Sequence, residues 1–490
     1  MAYTICFFAT IVTLISFLTY GIMNVSRGQS YYNCDKQLNR KEFRNSFAAA
    51  TTSLATVLYY FVILGLENGL WIIIFSPASF LIGTYLFSKF MLPRLVQHNY
   101  GRFNDGDITA GNTLGAYIYQ RYNSNIVKKV VIAITLLGII SVMLIELFVG
   151  VKIFNIFMKD NFEWIALIAI SVVTFVYTGL GGLNAVVKTD KIQFSFMTIT
   201  ALILVVYLFF TYTDSLDVLT VDYWPPLFGD EGLIWSQGVL YFNTVCVNIL
   251  LIPSFLRNWQ LIAATKDDNE IRKGMWWGVG LTVFISLLFV LFGMYFYTIF
   301  PLPTDEPSLN HILTTMANSG DKILSIVLFP MLFVACLMAL LSTVDSSLLP
   351  IVQSLVMDTR LKKFKDQRYI NIKCIAAILG LTFVLYFIVF KFLGFNIISW
   401  LFTIFSFVTL SSPAIIIGCF GKEEVLKKPR MQKTVVISTV IGLFIAGGLS
   451  LIGNMIDKLW LIQLNTPIAV FVAFIINIII YKRISKTQSH

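Results

Sequence analysis

Thirteen apolar runs divide this sequence, each near or above the roughly 20 residues a helix needs to cross a bilayer. We label them α1 (3–23), α2 (46–66), α3 (69–93), α4 (129–156), α5 (163–183), α6 (192–213) and α7 (235–256). The series continues with α8 (275–300), α9 (324–348), α10 (370–393), α11 (396–419), α12 (433–454) and α13 (459–481). The runs are too long for barrel strands and do not alternate. The expected class is therefore all-α and polytopic in the membrane, a single transporter-sized domain over 1–490. Composition agrees: 57% of residues are hydrophobic and 13% charged, with mean hydropathy +0.79. A soluble protein carries about 25% charged residues. Charge this sparse cannot cover a soluble surface, which excludes cytosolic enzymes, disordered scaffolds and nucleic-acid-binding modules. The opening run has no basic flank and is too long for a signal-peptide core, so it reads as a retained helix.

The net charge of +10 becomes informative once each cation is placed. With the N-terminus outside, the inner loops and the C-terminal tail carry 29 Lys and Arg, and the outer loops only Lys159, Lys322, Lys391 and Lys458. Every inner loop obeys the positive-inside rule. A missed or extra helix would scramble the pattern downstream of the error. The long 214–234 loop, placed outside, holds Asp214, Asp217, Asp222, Asp230 and Glu231 and no cation. The expected location is the plasma (inner) membrane, with the C-terminus cytoplasmic and the basic loops near anionic headgroups. Six Trp fall near run starts, as an interfacial belt requires.

No nucleotide-binding P-loop or kinase motif is present, which removes ATP-driven transport by this chain. Six cysteines form no CxxC pair, and the three histidines form no His/Glu motif. Neither a zinc site nor an enzyme constellation is expected, and no cofactor beyond a coupling ion.

Polar groups inside hydrocarbon carry the remaining information, because each needs a partner or a task. The richest stretch runs from Ala339 to Ser347 in α9. On a helix, Ala339, Ser342, Thr343 and Ser346 share an arc of about 100°, flanked by Asp345. Hydroxyls beside a carboxylate suit a hard alkali cation, which prefers oxygen ligands. Hydroxyls that bond back to the i−4 carbonyl are the plain alternative. A second stretch, Thr178-Gly179-Leu180-Gly181-Gly182-Leu183-Asn184-Ala185, is followed by Thr189-Asp190-Lys191-Ile192-Gln193. The glycines read as a turn, and Asp190 as a helix-end charge paired with Lys188 or Lys191. A third, Arg257 to Lys266, reads as a basic juxtamembrane loop.

In this order and at these helices, the three stretches resemble the sodium:solute symporter family. Its pattern joins a TGLGGLxAVxxTDxIQ segment, an Arg-to-Gln-to-Ala-Ala-Lys stretch and an A-x-x-S-[ST]-x-x-S helix that runs on toward an Asp, here Asp358. The resemblance covers nearly the whole chain, although Leu256 stands where a Gln commonly precedes the Arg. It implies a leucine-transporter-type five-plus-five inverted repeat, with repeat one at 46–213, repeat two at 235–419 and accessory helices at 433–481. Sodium and solute then bind near the midplane beside broken helices. Carried over, Ala339, Ser342 and Thr343 match the main sodium site, completed by carbonyls of α2, for which Ala55 and Leu58 are chosen. Asp190, Ser342, Asp345 and Ser346 match a second sodium position found in some members.

Sugar-carrying members have a Trp and an Asn-Gln pair late in the helix corresponding to α7, whereas Asn248 replaces the aromatic here and the pair is absent. Thr56, Tyr59 and Tyr60 on α2, with Asn243, Thr244 and Asn248 on α7, could line a site for another small polar solute; interhelical packing is the competing reading for each. Glu146 in α4 stands where the family often has Gln. It reads as a protonated hydrogen-bonding group, a partner of Lys152 or a proton-coupling residue. The expected function is sodium-coupled symport of a small polar organic solute. Proton coupling and a membrane-embedded solute sensor are the alternatives.

Overall fold

The structure is a computed structural model. It describes residues 1–23, 30–98, 100, 113–156, 163–212, 228–229, 232–233, 235–300, 309–358, 367–392 and 397–487. Every apolar run carries helix. α1 is Ala2–Met23, α3 spans Trp71–Gln97, α4 is Asn125–Phe154 and α8 is Asp268–Ile299. α9 spans Leu324–Asp358, α12 is Pro429–Met455 and α13 spans Leu459–Lys486. Among the described residues, ten helices are long and apolar enough to cross a membrane, or 11 with one bent pair. Two causes separate that count from thirteen: α5 and α6 run together as Glu163–Thr211 across a kink at Gly182, and α2 is broken into shorter pieces. The acidic 214–227 stretch lies outside the described residues, apart from a small hairpin in which Phe228 pairs with Leu233.

The break in α2 follows from its sequence. Arg40–Thr51 opens on a capping box, with Asn39 accepting from the Lys41 and Glu42 amides while Glu42 accepts from Asn39. At its end Thr51 and Thr52 both turn their hydroxyls back onto the carbonyl of Ala48, competing with the backbone ladder. The helix stops, Thr52 leaves helical geometry, and the chain resumes as a π-helical stretch, Leu54–Tyr60, and then Phe61–Asn68.

α7 breaks for a different reason. Pro253 sits in the last turn of Trp235–Ser254, Phe255 is extended, and Leu256–Ala264 departs at 40°. The freed carbonyls are not left bare: the Asn258 amide donates to Ile252 at 2.9 Å and the Trp259 indole to Pro253 at 2.8 Å.

α9 is apolar and buried all round, as a central helix must be. α1, α2, α4 and the α5–α6 pair pack around it. Loop-to-loop bonds join segments that the charge pattern puts on one side. Leu38 bridges Thr265, Lys128 pairs with Asp358 at 3.1 Å, and the Arg121 guanidinium donates to Gly418 and Gly421. On the other side Tyr212 donates to Asp321 and Asn310 to Lys152.

Candidate ion and solute site

The two broken helices meet beside α9, and a cavity of about 130 Å³ lies between them. Its wall includes Ser53 and Tyr60 of α2, Glu146 of α4, Asn243, Thr244 and Asn248 of α7, and Thr343 of α9. Phe80, Phe402 and Phe405 complete an aromatic side. The volume approaches the roughly 150 Å³ of an engineered cavity known to take benzene.

Ala55 and Leu58 lie in the π-helical stretch that packs on α9, and both are fully buried. Ala339, Ser342 and Thr343 lie on α9 and are buried, and Thr343 reaches the cavity wall. Thr343 does bond back to Ala339, at 3.0 Å, so the plain reading of membrane hydroxyls holds at that position as well. Ser342 donates to Asp190 Oδ1 at 2.9 Å. A hydroxyl that gives its proton to a carboxylate keeps its lone pairs for a cation.

Asp190 corrects one expectation. Its partner is not lysine: Lys188 and Lys191 point outward and are exposed. Asp190 is fully buried and pairs with the equally buried Arg257 at 3.1 Å. Ser46 donates to the same carboxylate oxygen and accepts from Arg257 at 2.6 Å, while Arg257 also holds Gln260 at 2.9 Å. The supposed juxtamembrane arginine is thus the centre of a buried network tying α2, α6, the second piece of α7 and α9.

Asp345 faces a different environment. Tyr177 of α5 donates to its Oδ2 and also to the Leu341 carbonyl at 3.2 Å. Ser346 bonds the same carboxyl, and Ser347 Oγ is buried without a hydrogen-bond partner. Buried polar atoms of this kind are costly unless something compensates them. A cation among these oxygens would do so.

Among the solute candidates, Asn243 is fully buried with both amide atoms unpartnered. Thr244 bonds back to Leu240 at 2.8 Å. Tyr60 packs edge-on against Phe402. The side chains of Thr56 and Tyr59 lie outside the described residues. Asn248 donates to the Ser76 carbonyl at 2.9 Å and to Ser79 Oγ at 3.0 Å, gluing α7 to α3. Asn248→Leu should therefore lower stability by about 1–2 kcal/mol. A thermal unfolding midpoint equal to wild type in detergent would contradict this. Glu146 accepts backbone N–H groups from Leu54 and Ala55, at 3.1 and 3.3 Å. Lys152 instead lies over the Phe148 ring.

Comparison with known proteins places this geometry. Residues 53–226 match the family model of the sodium:solute symporter family. A Na+-coupled sialic acid symporter in a substrate-bound outward-open state superposes with TM-score 0.71 at 16% identity, covering 95% of this chain and 97% of that one. Mhp1, a nucleobase-cation-symport-1 family transporter closed on bromovinylhydantoin, gives 0.57 at 12% identity, with 95% of each chain covered. MhsT in complex with L-phenylalanine gives 0.52 at 14% identity, covering 90% of this chain and 99% of that one. No curated protein matches by sequence. The fold is the leucine-transporter type.

Proposed function

We infer that this multi-pass membrane protein is a sodium-coupled symporter importing a small polar organic solute. The observation that carries the reading is one cavity, at two broken helices, walled by both Thr343 and the solute candidates Tyr60, Asn243, Thr244 and Asn248. The family match and the sodium-coupled structural relatives favour the same reading. The main sodium site comprises the carbonyls of Ala55, Leu58 and Ala339 with the hydroxyls of Ser342 and Thr343. A second ion has Asp345 and Ser346 as its natural ligands, with Asp190 reached through Ser342. Asp190 can join it through Oδ1, which Ser342 holds, while Oδ2 stays with Arg257.

Sodium enters from outside, draws α2 onto α9 and so completes one wall of the solute cavity. Solute binding favours closure, and the bundle rocks to open inward. Each inward charge supplies about 2.3 kcal/mol per 100 mV, roughly a fiftyfold accumulation from voltage alone. The proposed location is the plasma membrane, with the N-terminus outside.

Purified protein in liposomes should accumulate its solute only under an inward sodium gradient. Candidate solutes come from a thermal-shift screen with and without sodium, since co-binding stabilises by mass action. Thr343→Ala should weaken the sodium dependence about tenfold, as loss of one hydroxyl ligand implies. Uptake that follows pH and ignores sodium would replace this reading with proton coupling. Binding without uptake would replace it with a sensor.

A further inference from the structure

Five neutral oxygens make up the proposed main sodium site, three carbonyls and two hydroxyls. Such a site depends on where its carbonyls are held, because a misplaced oxygen leaves the buried cation short of compensation. Glu146 is the acidic side chain in the cavity wall, and it is buried. Among the described residues no Lys or Arg pairs with it. Its position is set by the break in α2. Leu54 donates its N–H to Oε2 and Ala55 to Oε1, while the Ser53 side chain bonds the same carboxyl. These are the first amides of the resumed helix, where orphan N–H groups and the helix dipole both favour an anion. Ala55, one of the two residues held, is also a proposed sodium ligand through its carbonyl.

We propose that Glu146 is a positioning residue for the main sodium site, fixing Leu54 and Ala55 at the break in α2. Both carboxylate oxygens accept backbone N–H. A glutamine offers one acceptor oxygen where the carboxyl offers two, so it can hold both amides only by shifting to share that oxygen, with its NH2 placed where the second acceptor was. The two-oxygen fork therefore fits this pair of amides better than an amide does. This inference rests on the sodium-coupled reading and adds which side chain sets the ion's affinity.

Binding of ²²Na+ to purified full-length protein, without any solute, tests it. Wild type, Glu146→Gln, Glu146→Asp and Thr343→Ala are compared, and each unfolding midpoint is measured in sodium-free potassium buffer. Glu146→Gln is expected to weaken sodium binding about tenfold, as displacement of one ligand carbonyl implies. Its midpoint should rise less than that of wild type when sodium is added. Glu146→Asp keeps both acceptor oxygens and should stay within about threefold of wild type. A Glu146→Gln protein that unfolds earlier yet binds sodium as wild type does would make the residue a structural cap only and overturn the proposal. Should Glu146→Gln fail to fold, Ser53→Ala, which removes the side chain bonded to the same carboxyl, decides: weakened sodium binding supports the proposal, and wild-type affinity defeats it. Wild type that binds no sodium defeats the sodium-coupled reading itself and this inference with it.

Discussion

Arg257→Met should be the most damaging single substitution in this protein, costing about 3–5 kcal/mol. The reason is what it leaves behind. Asp190 stays fully buried, and its guanidinium partner at 3.1 Å is gone. Ser46 and Ser342 still donate to the carboxylate, but two hydroxyls do not neutralise a charge. Adding Asp190→Asn in the same chain should recover much of the loss, since an apolar side chain beside a neutral amide strands no ion. The check is thermal unfolding in detergent, followed with a thiol dye on the buried cysteines Cys336 and Cys419. If the double variant melts no higher than Arg257→Met, the ion pair is not what holds these four helices together. The same network bears on transport. While Arg257 grips Asp190, the second piece of α7 is tied to α2 and α9, so inward opening must loosen that grip or carry the whole network with it.

Gly182→Ala is the second large effect, about 3 kcal/mol or more, from two causes acting at one atom. Gly182 has φ 59° and ψ −159°, a backbone region that essentially only glycine occupies. A Cβ added there would also lie 2.7 Å from the Tyr31 carbonyl oxygen and 2.8 Å from its ring. Neither neighbour yields easily, because Tyr31 is itself anchored, donating its hydroxyl to the carbonyls of Thr178 and Gly179 at 3.1 and 3.3 Å. Gly179→Ala is the matched control. Its added Cβ would meet only the Ile375 methyl, at an ordinary 3.4 Å, and its φ is not positive. Similar losses at 179 and 182 would show that the kink is not the reason.

The apolar runs were enough to locate every membrane-length helix among the described residues, because hydropathy over 20 residues is a strong signal. The breaks were not visible that way. Thr52 and Pro253 sit inside runs that stay apolar on both sides, so an average passes over them. Pro253 was a usable signal, as was the pair of threonines at 51 and 52. The stripe on α9 was legible because it lies on one helix, where spacing is geometry. Asp190 was misread for the opposite reason. Its neighbours in sequence are lysines, but helical geometry turns Lys188 and Lys191 outward, and the true partner lies 67 residues away. The roles of Ser46 and Tyr177 are likewise contacts between distant segments, and periodicity contains no record of them. Glu146 could be named as an intramembrane acid but not explained. What it holds is backbone on another helix, and a sequence does not show which amides a break will orphan.

α1 belongs to neither expected repeat, and only 22% of its most apolar window is buried. Phe17 of that helix nonetheless packs against Tyr177, 6.0 Å between ring centres, and Tyr177 is the side chain that holds Asp345. Tyr3 packs likewise on Phe329, near the start of α9. The helix outside both repeats therefore stands between lipid and the tyrosine at the proposed second ion position. Trimming it to simplify expression would put acyl chains where an aromatic ring now keeps a polar pair dry.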